Sequence, residues 1–204
     1  MATSLLLSRI RDYLSLTKSQ IPDYEPEGGK VVVCGTGYTL WDDLLDAGFQ
    51  VNKKWNQNFD VMAVNRSIMD IPCFVSHGYS NHMDALVRWA DARDEAYKHR
   101  DKGGTQLHSN REYNKRIKVW TLPGYGTSGL NAVFLALLLG YEEIKIAGMP
   151  IDNGPHYYDA PYFEWNNFEN EGILRPWRKF LASFHDVVEP LSGNPRKIWN
   201  QLSS

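Results

Sequence analysis

The stretch Val119–Asp159, VWTLPGYGTSGLNAVFLALLLGYEEIKIAGMPIDNGPHYYD, decides the fold, because a helix, a strand and a polar loop follow one another in it directly. Thr127 and Ser128 are N-cap residue types, and Leu130, Val133, Phe134, Leu137 and Leu138 recur at helical spacing up to Gly140, which suits a C-cap. That spacing predicts a buried helix. Glu143–Gly148 then carries Ile144, Ile146 and Ala147 in a short apolar run and predicts a strand. The chain leaves it through Pro150 and Asp152 into a loop containing His156, Tyr157, Tyr158 and Asp159. In parallel α/β sheets ligands sit beyond the carboxyl ends of the strands, so this loop is the first candidate for an active site.

Working outward, Val31, Val32 and Val33 make a buried strand, CGTG turns the chain, and Thr39 caps a helix with Leu40, Leu44 and Leu45 that ends at Gly48. Asp60–Val64 closes a strand-helix-strand unit, which implies a right-handed crossover and a parallel sheet. Pro72–Ser76 is the third strand expected, His82–His99 a long helix, and Lys102–Asn110 a loop. Arg116–Leu122 and Glu143–Gly148 are the fourth and fifth strands, and Asp186–Pro190 the sixth, after a helix over Arg175–Phe184. Asn194 and Pro195 read as the N-cap and first turn of a further helix reaching Trp199. Residues 1–17 form an amphipathic helix with Leu6, Ile10, Tyr13 and Leu14 on one face, and 18–29 a polar connector. The expectation is one α/β domain over 1–204: a Rossmann-like, mostly parallel sheet of about six strands, helices on both faces, and a small helical lid inserted at 79–115.

Composition sets the bounds. At 204 residues, 43% hydrophobic and 13% aromatic, the chain suffices for one well-packed core rather than two. A formal charge of -2 excludes a strongly basic nucleic-acid binder as a whole, though not a local basic face. Cys34 and Cys73 lie in apolar runs, as reduced thiols packed like small hydrophobes do. Arg9 and Arg11 interrupt any signal-peptide core, and no run approaches the roughly 18 apolar residues of a membrane span. A cytoplasmic protein without membrane contact is expected.

Gly35-Thr36-Gly37-Tyr38-Thr39 occupies the place of a Rossmann phosphate loop, where backbone N–H groups approach an anion; a tight structural turn is the alternative. Leu40 stands where that motif has its third glycine, and Asn65-Arg66 follows the second strand instead of the acidic residue that holds an NAD ribose. With no Gly-Lys-Ser/Thr present either, ordinary dehydrogenases and P-loop kinases are disfavoured. Asn65 suits contact with a nucleobase or ribose, or a strand-end cap. His77 beside Ser76, and Ser128 beside Gly129, put further small polar groups at strand ends and helix starts. His156 is a candidate general base, or a solvated loop residue, and Tyr157 and Tyr158 offer phenols that bind phosphate without a metal. His77, His82, Asp152 and His156 lack tight ligand spacing, so no built-in metal site is expected.

Two regions bear on partners. Residues 88–118 hold nine Lys or Arg (88, 93, 98, 100, 102, 111, 115, 116 and 118) against five acids, net +4, while the remainder sums to -6. With Tyr97, His99, His108 and Tyr113 this is either a solvated helix or a lid that tracks a polyanionic acceptor, glycan or DNA. Tyr162, Phe163, Trp165 and Trp177 either stack on a base or sugar or seal the core or a homo-oligomer contact.

GTGYTLWDDL, FDVMAVNRS and GTSGLNAVFLALLLGYEEIKIAGMPID, in that order over Val31 to about Asp159, carry a family pattern. It resembles that of the bacterial sialyltransferases that include the Campylobacter lipooligosaccharide enzymes, and of the related DUF115 proteins (motility accessory proteins and archaeal pterin diphosphokinases). Uncharacterised bacteriophage proteins look closest, sharing also a Ser-Gly-x-x-Arg ending like SGNPRKIW at 192–199. The resemblance implies a Rossmann-like sheet that binds an activated nucleotide donor, CMP-sialic acid in the sialyltransferases, without a metal. It implies Thr36 and Gly37 near the donor phosphate or sugar, Asn65 near the nucleotide, and Thr127, Ser128 and Gly129 near donor sugar or base. Pro150 stands where the sialyltransferases have an acidic residue, with Asp152 later, and their histidine base lies far downstream, so that His156, His185 or neither takes its place, His156 being favoured because it lies beside the expected strand ends.

The function expected is a metal-independent, nucleotide-sugar-dependent glycosyltransferase in which Gly35, Thr36, Gly37, Tyr38, Asn65, Arg66, His77, Thr127, Ser128, Gly129, Asp152 and Tyr157 hold the donor and His156 and Tyr158 serve the chemistry. The alternatives are sequestration of a nucleotide or signalling nucleotide without turnover, a phage glycosyltransferase acting on DNA bases, and a pterin-type diphosphokinase, the last requiring Mg²⁺.

Overall fold

The computed structural model describes residues 2–17, 29–49, 59–97, 104–122, 127–160 and 170–204. Seven strands form one all-parallel sheet: β1 (Lys30–Cys34), β2 (Asp60–Val64), β3 (His77–Tyr79), β4 (Gln106–Ser109), β5 (Ile117–Val119), β6 (Glu143–Ala147) and β7 (Val188–Pro190). Their order across the sheet is β5-β4-β3-β2-β1-β6-β7. The chain steps outward from β1 to β5 and then returns to pair β6 with the free side of β1, where Val31 lies opposite Ile144 and Cys34 opposite Ala147. The reversal between β1 and β6 is a topological switch point, where connections leave in opposite directions and a crevice opens.

Alternate residues of each strand face opposite sides, so two cores form. Helices α1 (Ala2–Leu14), α5 (Ser128–Leu138) and α6 (Glu171–Phe184) pack on the face of Val31, Val33, Met62, Val64 and Tyr79. On the face of Val32, Cys34, Val61 and Ala63 lie α2 (Leu40–Asp46), α3 (Ser67–Asp70) and α4 (Met83–Ala96). The last helix, α7 (Gly193–Leu202), leans on the first core through Ile198 and Trp199. Helix α5 is apolar all round and almost wholly buried, as a helix at the centre of a layer must be. Thr127 caps it by accepting from the Leu130 N–H at 3.2 Å, and Gly140, at φ 86°, ends it.

Several expectations need correction. The third strand starts at His77 rather than ending before it, and the apolar run Pro72–Ser76 is its approach loop, although Val75 is buried. The 102–110 loop contains β4, which brings the strands among the described residues to seven where about six were expected. Among the described residues of 79–115, α4 packs on one face of the sheet and β4 is one of its strands, rather than either forming a separate lid. Helix α6 begins four residues before Arg175, at the Asn170 N-cap, and contains Pro176. Helix α7 has Ser192 as its N-cap, so Asn194 and Pro195 lie inside its first turn. The 18–28 part of the connector, and Tyr162, Phe163, Trp165 and His99, lie outside the described residues.

Candidate functional site

A cleft of about 340 Å³ opens at the carboxyl ends of β1, β2, β3 and β6, at the switch point. Five segments line it: the turn after β1, the end of β2, the residues after β3, the first turn of α5 and the loop after β6. Nine residues singled out from the sequence border it: Gly35, Thr36, Gly37, Asn65, Thr127, Ser128, Gly129, Asp152 and His156.

The glycine turn does not act as a phosphate loop through Gly35 and Gly37. Gly35 N–H donates to Ala147 O at 2.8 Å and Gly37 N–H to Gly148 O at 2.7 Å, while Tyr38 N–H donates to Pro155 O. These donors are spent zipping the turn onto the chain leaving β6. The glycines are needed for that close approach: a Cβ on Gly35 would lie 2.4 Å from Gly148 O, and one on Gly37 2.4 Å from Pro150 Cδ. The two loops also share an isolated antiparallel bridge between Gly37 and His156.

Donors for a ligand come instead from two carboxamides and a helix terminus. Ser80 Oγ accepts from His82 N–H at 2.9 Å, so its own proton goes to Asn65 Oδ1 at 2.8 Å. Asn81 Oδ1 accepts from the Tyr79 hydroxyl at 2.9 Å and from Asn131 Nδ2 at 3.3 Å. Burial pushes the Tyr79 phenol well up, which keeps it a donor. With both amide oxygens held by the protein, the NH₂ groups of Asn65 and Asn81 are the ends left for the cleft. Beside them the first turn of α5 lies along the wall, tied in by Asn81 N–H donating to Ser128 Oγ at 3.2 Å. Asn65 sits at φ 58°, a left-handed conformation that asparagine tolerates better than most residues. Among the described residues that line the cleft there is no Lys or Arg, and Asp152 is the one carboxylate.

At the mouth, His156 Nδ1 lies 2.9 Å from Asp159 Oδ2, which also accepts the His156 backbone N–H at 3.0 Å. A carboxylate only accepts, so Nδ1 carries a proton, and in the neutral ring Nε2 is then the basic nitrogen. This is the orientation a general base requires. Tyr158 stacks on the imidazole at 4.9 Å with rings 4° apart, and the Arg66 guanidinium lies 4.6 Å over the Tyr158 ring. Arg66 also pairs with Asp70 at 3.1 Å.

The other expected residues lie elsewhere. Tyr157 follows the bridged His156 and faces the opposite way; its hydroxyl donates to Asp70 at 2.6 Å and its ring packs on Trp41, so it braces the loop and does not line the cleft. Tyr158, Arg66 and Tyr38 stand around the mouth without lining it; Tyr38 donates to Asp152 Oδ2 at 3.0 Å. Burial, followed by the Asp152 hydrogen bond, raises the Tyr38 phenol. His77 is fully buried at the start of β3, bonded to His108 and Tyr141, because the strand begins five residues later than Pro72 suggests. His185 caps the end of α6 just before β7 begins, at the opposite end of the parallel sheet from the cleft.

In the basic region Arg93 is buried and donates to the carbonyls of Ile68, Ile71 and Cys73, and His108 is buried as well. Arg88 pairs with Asp84, Arg116 with Asp91 and Asp94, and Lys118 lies over Trp120. Positions 98, 100 and 102 are outside the described residues. Trp177 is fully buried in the first core.

Sequence inspection missed Asn81, Met149 and Ile151 as lining residues and weighed His82 only as a metal ligand. A polar Ser80-Asn81-His82 run directly after a strand was the available signal, hidden by the misplacement of β3. Among the described residues no three His, Cys, Asp or Glu side chains gather as metal ligands, and no helix is long and apolar enough to cross a membrane. Comparison of the chain with family models, curated proteins and solved structures returns no match.

Proposed function

We propose that this chain is a glycosyltransferase-like protein that binds a nucleotide-sugar in the cleft at the β1/β6 switch point and uses His156 as base towards an acceptor hydroxyl. The observation that carries the proposal is the His156–Asp159 pair at the mouth of a cleft whose wall includes the Asn65 and Asn81 amides and the first turn of α5. His156 Nε2 takes the acceptor proton as the oxygen attacks the anomeric carbon; the nucleotide phosphate leaves with the bonding electrons. The first turn of α5 and the Asn65 and Asn81 amides stabilise the charge that develops there.

The donor set favours one phosphate over two. A diphosphate brings more charge than neutral amides and one helix terminus offset, and the glycine N–H groups that would grip it are committed to Ala147 and Gly148. The same argument weighs against pyrophosphoryl transfer, which needs more to hold its cation than Asp152, the single lining carboxylate among the described residues. The resemblance to sialyltransferases, whose donor is a nucleoside monophosphate sugar, agrees with this preference.

Calorimetry and thermal shift against CMP, UMP, UDP, GDP, ADP and their sugars, with and without Mg²⁺, test the proposal on the wild type and Asn65→Ala. A ligand at 100 times its Kd should stabilise the fold by about 2.7 kcal/mol. The expected result is a hit with a monophosphate sugar, weakened in Asn65→Ala, and consumption of that sugar that His156→Gln abolishes. Binding with the ligand recovered intact would replace the transferase by a sequestering protein.

A further inference from the structure

The loop after β6 departs from ordinary backbone geometry. Ile151, a β-branched residue, sits at φ 49°, in the left-handed region that such side chains rarely enter, and it lines the cleft. Something must hold it there. The residues that do so come from more than forty positions later in the chain, at the start of α7.

Asn194 N–H donates to Pro150 O at 2.8 Å, and its side-chain Nδ2 donates to Ile151 O at 2.8 Å. Gly193, at φ 67°, lies flat against the same peptide; a Cβ there would come within 2.3 Å of both Pro150 Cα and Pro150 O. Ser192 Oγ donates to Asp43 Oδ2 at 2.7 Å, and that oxygen also accepts from Gly148 N–H at 2.8 Å and from Thr39 Oγ1 at 3.0 Å. Three consecutive residues therefore fix the chain from Gly148 to Ile151, the segment that leads into His156. Arg196 anchors the helix itself through Glu189 and Pro190 O.

We propose that Ser192, Gly193 and Asn194 are positioning residues of the cleft, with Asn194 holding Ile151 in its left-handed conformation so that the cleft floor and the His156 loop are set only when α7 is docked. Its functional meaning rests on the cleft being a ligand site, but the clamp can be tested without a ligand. Asn194→Ala removes the side-chain donor, and Ile151→Gly removes the need for it, since glycine adopts positive φ freely.

In ligand-free protein, Asn194→Ala should raise amide exchange about tenfold at Gly148–Ile151 and leave β2 unchanged. It should also move the NMR titration of the His156 ring, and Ile151→Gly in the same chain should restore both. Arg196→Ala, which loosens α7 by its other anchor, should shift both readouts in the same direction, whereas Arg9→Met, which frees α1 from Asp186 without touching the first turn of α7, should lower stability and leave the His156 titration where it was. Unchanged exchange and titration in Asn194→Ala, or failure of Ile151→Gly to rescue, would overturn the clamp. Should Asn194→Ala not fold, the double variant is expected to fold and titrate like wild type, and its failure to do so would equally overturn the proposal. CMP serves as the ligand probe: wild type that ignores CMP counts against the nucleotide proposal, while the exchange and titration results still decide the clamp.

Discussion

A methyl group on Gly35 would press on Gly148 O at 2.4 Å and Met149 Cγ at 2.5 Å, whereas one on Gly48 would meet nothing within 4 Å. Gly35→Ala is therefore expected to cost about 1–3 kcal/mol through overpacking. Gly48→Ala, strained only by its φ of 80°, should cost about 1 kcal/mol, and urea melts of the two variants make the comparison. The sequence showed that small residues were required between β1 and α2, but it could not show why. An anion and a neighbouring loop both select glycine, and only the partners of the N–H groups tell them apart. His156 was legible as a polar loop residue after a strand; its alignment by Asp159, three positions on, was not. Asp159→Asn substitutes a side chain that can donate to Nδ1 and so favours the wrong tautomer. Turnover of the donor found in the ligand screen should fall by about 10²–10⁴ with its affinity kept, as single-turnover kinetics beside calorimetry would show.

Across β2, β3 and β4 a chain of polar side chains crosses the buried face of the sheet. Trp120 Nε1 donates to His108 Nδ1 at 3.0 Å, His108 Nε2 meets His77 Nδ1 at 3.1 Å, His77 Nε2 meets the Tyr141 hydroxyl at 3.0 Å, and that hydroxyl donates to Asp60 at 2.7 Å. With each imidazole supplying one donor and one acceptor, the bonds run in a single direction from the indole to the carboxylate. His77→Ala breaks the chain in the middle, taking one bond from the buried His108 ring and one from the Tyr141 hydroxyl and leaving a cavity, so a loss of about 2–4 kcal/mol is expected in urea denaturation. This network also explains which elements were hard to read. Strands β1, β2 and β6 are runs of Val, Ile and Ala and were placed to within a residue, whereas His77–Tyr79 and Gln106–Ser109 are rich in groups typical of loops. Their polarity is satisfied sideways, strand to strand, a pairing that no local pattern encodes. The rim residues just beyond β3 were lost with it.

At the scale of the molecule, Asp186 and Glu189 make the fold sensitive to acid. Asp186 is held below its ordinary value of 3.8 chiefly by its hydrogen bond from Arg9, which ties α1 to the end of α6. Burial acts to raise Glu189, but bonds from Lys145 and Arg196 outweigh it and leave it below 4.5. A lowered folded-state pKa gives stability that is complete above the unfolded value and is lost as pH falls through the folded one. Asp43 acts in the opposite sense: burial, only partly offset by Gly148, Ser192 and Thr39, raises it, so its protonation favours the folded state. Thermal melts should show Tm falling from pH 5 towards pH 3, and Arg9→Met should flatten that fall as well as lower Tm at pH 7. The strand order has a separate consequence in time. Val31–Cys34 has β2 on one side as soon as residue 64 is made, but its other neighbour ends at residue 147. At a synthesis rate of roughly 5–20 residues per second, the side of β1 that receives β6 stays unpaired for several seconds on the ribosome. During that interval the most apolar strand of the nascent protein offers an open edge to any other chain, which makes β1 the place where co-translational chaperones would matter most.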